Sequence, residues 1–454
     1  MMKKKSLVSI LTLSMAISLL SGCGGGSAKK NDGSTTGNSA NKTTETSDGE
    51  VVEITFMGWE ASPLETKAVE DGIAEFEKQN PNIKVNYTPA GKGGSDYNAK
   101  MIASAAAGSL PDVLFVASDT YRDMVARGAI EDLTDMFDSE LSFNDYIESS
   151  KQIMEVDGRV YGLHSCTVSP IAYYNKDVFD AAGIKYPSAD PADSWTIEEF
   201  RDIAKKLTTD DIYGCYGLEN VADTLNAQLL SNNGKRYNDD YTKSIINSPE
   251  NKEVLKIIKE IRTVDKSMPD ATTLDSVGMT SKQMLQTGKV AILIDGSWSM
   301  QELADTGMNV GIAPMPSYAR VTTTGQAHVH SISKTSKHKE EAWKFLKFLA
   351  GYDYLGAVCH TGLWMPNRIS FYEEENWDKW MNPDIHGEDY KLMLNYFKNA
   401  EVDPSALQKT AKGRDIVIEE TDMYFKQDQD LNQTLENIDR RINEAIQENL
   451  EDMK

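Results

Sequence analysis

Cysteine is scarce, with 4 in 454 residues. Beyond Cys23 only Cys166, Cys215 and Cys359 remain, so at most one disulfide forms, at least one thiol stays free, and a disulfide scaffold is excluded. Positive charge is also short: 47 Lys and Arg stand against 70 Asp and Glu, for a formal net charge of −23. Without residues 1–22, which carry three lysines and no acid, it becomes −26. That sign argues against nucleic acid and anionic lipid as partners of the folded body, because phosphate backbones attract basic surfaces. After the first two dozen residues no hydrophobic run reaches the roughly 20 residues that a membrane helix needs. Neither G-x-S-x-G nor H-E-x-x-H occurs, and "GKGG" at 91–94 lacks the remainder of a phosphate loop, so it reads as a turn. His328 and His330 in "HVH" would face the same side of a strand. Zinc needs at least a third protein ligand and no His or Cys cluster stands nearby, so neither a metal nor a cofactor is expected.

What is present begins with Lys3, Lys4 and Lys5 and an apolar stretch from Leu7 to Leu20, the order of a secretory signal and too short for a comfortable membrane span. Leu20-Ser21-Gly22-Cys23 resembles a bacterial lipobox, in which the cysteine takes a diacylglyceryl group and becomes the mature N-terminus. The expectation is a signal peptide over 1–22, lipidation at Cys23, and a working part held on the outer face of the cell membrane, since two acyl chains anchor stably where one does not. Residues 24–50 are rich in Gly, Ser, Thr, Asn and Lys. They cannot bury enough apolar surface to fold and read as a tether.

From Val51 the grammar changes. Val52, Ile54 and Phe56 alternate as a strand. Ser62-Pro63-Leu64-Glu65 then caps a helix carrying Val69, Ile73 and Phe76, which Asn80-Pro81 stops. Ile83, Val85 and Tyr87 alternate again, giving a βαβ unit. A second helix ends at Gly108, and "LPDVLFVASD" is a continuous apolar run of the kind buried on both faces of a parallel sheet. Thr196-Ile197-Glu198-Glu199 and Thr280-Ser281-Lys282-Gln283 start two more helices, "VAILID" is a strand, and Ser336 to Ala350 a helix ended by Gly351. About 400 residues in this grammar are too many for one ordinary core and predict two α/β lobes.

The segments "FEKQNPNIKVNY", "AGSLPDVLFV", "DGRVYGLHS", "AYYNKDVFDAAG", "SWTIEEFRDIAKKLT", "GKVAILIDGSW" and "SKHKEEAWKFLKFLAG" follow one another in the order and near the spacing of the family 1 extracellular solute-binding proteins of ABC importers, the carbohydrate receptors that resemble maltodextrin-binding protein. The resemblance runs from about Val51 to Arg368 and weakens through the C-terminus. It implies a two-lobed, type II periplasmic-binding-protein-like fold, each lobe a mixed sheet flanked by helices, with the ligand in the cleft between them. It also implies hinge closure and delivery to the transmembrane subunits of a permease by a monomeric receptor without catalytic residues. The lobes are expected at 51–167 with 317–365 and at 168–316 with 366–454, the chain crossing near Thr167, Pro316 and Met365.

In open α/β sheets ligands sit beyond the carboxyl ends of the strands, which singles out Trp59 and Glu60, Ser118 and Asp119, and Asp295 to Trp298. These sets mix aromatics or carboxylates with small polar residues. That suits a sugar, whose flat faces stack on rings while its hydroxyls hydrogen-bond. Trp298 falls where the family places an aromatic platform, and Trp364 lies near a segment passing between the lobes; each tryptophan could equally be buried in a core. Asp119 matches a ligand-contacting aspartate of the family, against a role as helix N-cap. Asn220, with Glu219, falls near a C-lobe contact segment. His164 and Ser165 lie at the first crossing, where they would donate to hydroxyls unless the histidine is structural. Val168 stands where the maltodextrin relative has a glutamate, which argues against the same sugar. Few arginines lie near these loops, so a neutral mono- or oligosaccharide is preferred to a phosphorylated solute. The rival from another class is a lipid-anchored glycosidase or lyase using carboxylates such as Glu60 and Asp119. A surface sensor and a receptor for a non-sugar solute are also compatible with these residues.

Overall fold

The computed structural model describes residues 51–452 apart from 60, 61, 92, 93, 271, 272, 275 and 277. The signal peptide, the lipidation at Cys23 and the tether therefore lie outside the described residues, as does Glu60. No described helix is long and apolar enough to cross a membrane.

The first lobe grows from β1 (Val52–Gly58), β2 (Ile83–Pro89) and β3 (Val113–Val116), all parallel. In β1 the period of two puts Ile54 and Phe56 inward, both fully buried. All four residues of β3 are buried because the strand is covered on both faces. The helix Pro63–Gln79 between β1 and β2 starts where Ser62 Oγ accepts from Glu65 N at 3.1 Å, with Pro63 in the first turn, and ends at Asn80. A short hairpin, β4 (Glu155–Val156) with β5 (Arg159–Val160), precedes β6 (Leu163–His164).

The chain then enters a second sheet made of β7 (Pro170–Asn175), β8 (Tyr213–Tyr216), β9 (Val290–Gly296) and β10 (Val310–Ala313), in the order β10-β7-β9-β8. β7 runs antiparallel to both its neighbours, and β8 lies parallel to β9 at the edge. Along β7 the alternation splits cleanly. Ile171 and Tyr173 join the core continuous with the first lobe, and Ala172 and Tyr174 join a second core on the other face. The helices Ile197–Leu207 and Ser281–Gln286 both begin with reciprocal capping boxes, at Thr196 and Thr280, as their sequences predict. Two C-terminal helices, Gly413–Gln427 and Leu431–Asp452, close the second core with Ile416, Val417, Leu435, Ile438 and Ile442.

β11 (Thr324–Gly325) pairs with β13 (Glu401–Val402), while β12 (Val329–Ile332) returns to the first sheet, whose order is β2-β1-β3-β12-β6. Crossing segments meet at Thr167 and Val168, whose backbone amides donate to Met365 O at 2.9 Å and Gln326 O at 3.0 Å. Beyond Met365 the chain keeps to the first lobe for longer than the sequence suggests. Arg368 Nε donates to Asp145 at 2.8 Å, and Phe371 stacks on Tyr352 at 4.1 Å. It reaches the second sheet with the helix Glu388–Lys398, which packs on β10, so the expected boundary at residue 366 is too early. Among the described residues the three cysteines are buried and free.

Candidate functional site

A cavity of about 270 Å³ opens between the lobes. It is lined by Trp59, Trp298 and Trp364, together with Asp119, Arg414, Glu65, His328 and Ser405. The strand ends put these groups there. Trp59 follows β1 and is held edge-on by Tyr97 at 5.3 Å, Phe115 at 5.6 Å and His328 at 4.9 Å. Trp364 is the most enclosed of the three indoles, 5% exposed, and meets His328 at 5.3 Å. Trp298 is half-buried. Its ring lies so close over Gly296 that a Cβ there would stand 2.2 Å from the indole, so only glycine lets it settle.

Asp119 occupies the second position of the helix Ser118–Ala126, whose cap is Ala117. The reading of Asp119 as N-cap is therefore not met: its carboxylate accepts from Asn98 Nδ2 at 3.3 Å and Thr120 Oγ1 at 3.1 Å instead. Burial pushes this carboxyl above its ordinary range, and the Arg414 guanidinium opposes that shift. Arg414 also stands 3.7 Å from Asp223 Oδ1, whose carboxyl burial likewise pushes up. The helix Ser118–Ala126 packs against the turn Pro404–Leu407, which brings Ser405 to the same cavity.

His328 lines the cavity, and its ring is paired with that of His330. His328 Nε2 and His330 Nε2 share one hydrogen bond at 3.1 Å. Burial drives His330 down to about 3 and His328 well below its usual value, so both are neutral at pH 7. Among the described residues no group of three or more His, Cys, Asp or Glu side chains can hold a metal ion.

Three expected site residues are not brought to this cavity. His164 is buried with Nδ1 2.7 Å from Ser150 Oγ, and burial lowers it to about 3; it is a core histidine. Asp295 accepts from Gly296 N at 2.8 Å and Ser299 Oγ at 2.9 Å, so its carboxylate secures the turn that carries Trp298 instead of lining this cavity. Asn220 donates to Asp223 at 3.0 Å and lines a neighbouring cavity, while Glu219 pairs with Arg262. Conversely, sequence reasoning did not find Glu65, Ser405 and Arg414. Glu65 reads only as a capping partner, and nothing local marks Arg414, which meets Asp119 across nearly 300 residues of chain.

Two mixed sheets, joined by crossing strands over an aromatic cavity, define the two-lobed type II class of binding protein. The family model described as bacterial extracellular solute-binding protein matches residues 61–354, and the chain belongs to that family, the family 1 receptors that resemble maltodextrin-binding protein. It is similar to the arabinooligosaccharide-binding protein of Bacillus subtilis, 24% identical over 414 residues, covering 87% of this chain and 86% of that one. It is also similar to an uncharacterized lipoprotein of Streptomyces antibioticus, 27% identical over 306 residues, 66% of each chain. Among solved structures, an ABC substrate-binding protein of Listeria monocytogenes in complex with cycloalternan superposes with a TM-score of 0.75 at 26% identity, covering 88% of this chain and all of that one.

Proposed function

We propose that this chain is the extracytoplasmic receptor of an ABC importer, lipid-anchored at Cys23, that captures a neutral oligosaccharide between its lobes and delivers it intact to a membrane permease. The observation that carries this reading is the convergence of three indoles, from three distant parts of the chain, on one cavity rimmed by hydrogen-bonding groups. Flat sugar faces stack on such rings, and hydroxyls bridge Asp119, Arg414 and Ser405. The charge balance favours a neutral guest. The sequence shows few arginines near the site, yet Arg414 does reach it; with Glu65 and Asp119 lining the same cavity, its charge is offset, so a phosphate would meet net negative surroundings. The oligosaccharide ligands of the Bacillus and Listeria relatives support the same class.

Titration calorimetry of the mature chain against neutral oligosaccharides tests the reading, with mass spectrometry of the recovered sugar. Saturable binding with unshortened sugar is the expected result. Chain shortening would make the protein an enzyme and end the receptor reading. For the anchor, a Cys23→Ala variant is expected to lose lipid labelling; unchanged labelling refutes the assignment.

A further inference from the structure

A second cavity, of about 580 Å³, lies in the second lobe, outside the one bounded by the indoles. Its walls include Tyr216, Asn220, Ala222, Ile418, Asp422 and Phe425. Tyr216 ends β8, the edge strand of its sheet. Gly217, at φ +102° and with no room for a Cβ against Ile294 O, turns the chain sharply there into the segment 218–222.

One chain of side chains separates the two cavities: Arg414 on the interlobe side, then Asp223 at 3.7 Å, then Asn220, whose amide donates to Asp223 at 3.0 Å. The helix Gly413–Gln427 runs past both. Arg414, Ile418, Asp422 and Lys426 recur every fourth residue and so form one row on its surface. Arg414 faces the interlobe cavity, and the other three line the second. At 1.5 Å per residue that row is about 18 Å long, the reach of several sugar rings laid end to end. Beside that row the second cavity is walled by the aromatic residues Tyr216 and Phe425 and by Asn220, with Asp422 on the row itself, so aromatic and hydrogen-bonding side chains meet here as they do in the interlobe cavity.

We infer that the second cavity takes the far end of the ligand. On this inference, which rests on the saccharide reading, the substrate is a linear oligosaccharide several units long. One end is held among Trp59, Trp298 and Trp364, and the other is laid along the outer row of the C-terminal helix. The interlobe cavity alone, at about 270 Å³, falls below the roughly 300–1,000 Å³ usual for small-molecule sites, and the second supplies the missing length.

Calorimetry with three neutral linear series, gluco-, arabino- and galacto-oligosaccharides from disaccharide to hexasaccharide, reads this directly. For the series that binds, affinity is expected to rise about tenfold or more with length. Ala222→Trp, which fills the second cavity, is expected to abolish that rise and leave the disaccharide unchanged. Asp422→Ala repeats the test without steric load, removing a half-exposed carboxylate paired with Lys426 at 2.8 Å, and is expected to weaken only the longest chains, about threefold. Trp298→Ala, in contrast, weakens every length. Affinity independent of length in the native protein, or an undiminished rise in both Ala222→Trp and Asp422→Ala, overturns the inference while leaving the receptor reading intact. If no series binds at all, the saccharide reading itself fails and the inference falls with it.

Discussion

The ends of β3 and β9 face the same cavity and obey the same strand-then-helix grammar, yet they deliver different groups. After β3 the helix begins at Ser118, and the carboxylate of its second residue, Asp119, stands in the cavity. After β9 the chain inserts Ser297 and Trp298 before the helix Ser299–Asp305. There the carboxylate turns back to hold Gly296 N and Ser299 Oγ, and the indole goes forward. Two residues of turn decide whether a strand end turns a carboxylate or an indole toward the cavity. An aspartate at a strand end faces the cavity only where the backbone makes no local demand on it.

The largest effect is expected at the platform. Trp298→Ala should weaken binding of the saccharide that the native chain takes by about 2–3 kcal/mol, as loss of an aromatic anchor does, with little change in melting temperature because the ring is only half-buried. Calorimetry and a melting scan read both, and a stability loss larger than the affinity loss would make Trp298 a packing residue. Next comes Gly296→Ala, whose Cβ would meet the indole at 2.2 Å. Displacing the ring is expected to cost about 1–3 kcal/mol, visible as a shifted tryptophan emission and weaker binding. The two aspartates should then part company. Asp295→Ala loses two hydrogen bonds, and the expected cost in a urea titration is about 1–2 kcal/mol of folding stability. Asp119→Asn should lower affinity about tenfold and leave stability unchanged or raised, because it removes a buried charge. Equal profiles for the two variants would erase the distinction between the two strand ends.

Asp119 also sets a pH signature. Its carboxyl lies above the ordinary carboxylate value of about 3.9, so acidification neutralises it before exposed carboxylates. Affinity that depends on the carboxylate is expected to fall on acidification at a higher pH than exposed carboxylates titrate, and Asp119→Asn should flatten the curve. Its stability contribution has the opposite sign: fully present below the unfolded value of about 3.9, it is lost as pH rises through the higher folded value. The smallest effect is expected for Asn220→Ala, which removes one hydrogen bond to Asp223 and should cost only the longest ligands about 0.5–1 kcal/mol or less.

Much of the scaffold was legible because its signals are local. Capping at Ser62, Thr196 and Thr280 and the apolar runs of β3 and β9 each announce themselves within a few residues. Trp59 and Trp298 could be brought to the cavity in advance because strand ends and indoles are both visible in sequence, whereas Trp364 follows no strand and was marked only by the family resemblance. Most of what could not be read depends on long-range packing. Arg414 enters the cavity because its helix closes the second core, and Ser405 because its turn docks on the helix Ser118–Ala126. His164 reads as a donor at a crossing, but the strand pairing of β6 with β12 turns it into the interior. Asp295 misleads because the demand on it comes from a residue only four positions away, and hydroxyl-to-carboxylate bonds leave no periodic trace.

The order in which the chain visits its sheets has a consequence for biogenesis. The sheet begun by β1, β2 and β3 is completed only by β12, which ends at Ile332. At the roughly 5–20 residues per second of protein synthesis, the nascent polypeptide spends tens of seconds with its first half unfinished. Until most of the chain has been made, β3 therefore lacks the neighbour that covers its free edge, and the first sheet cannot close ahead of the second.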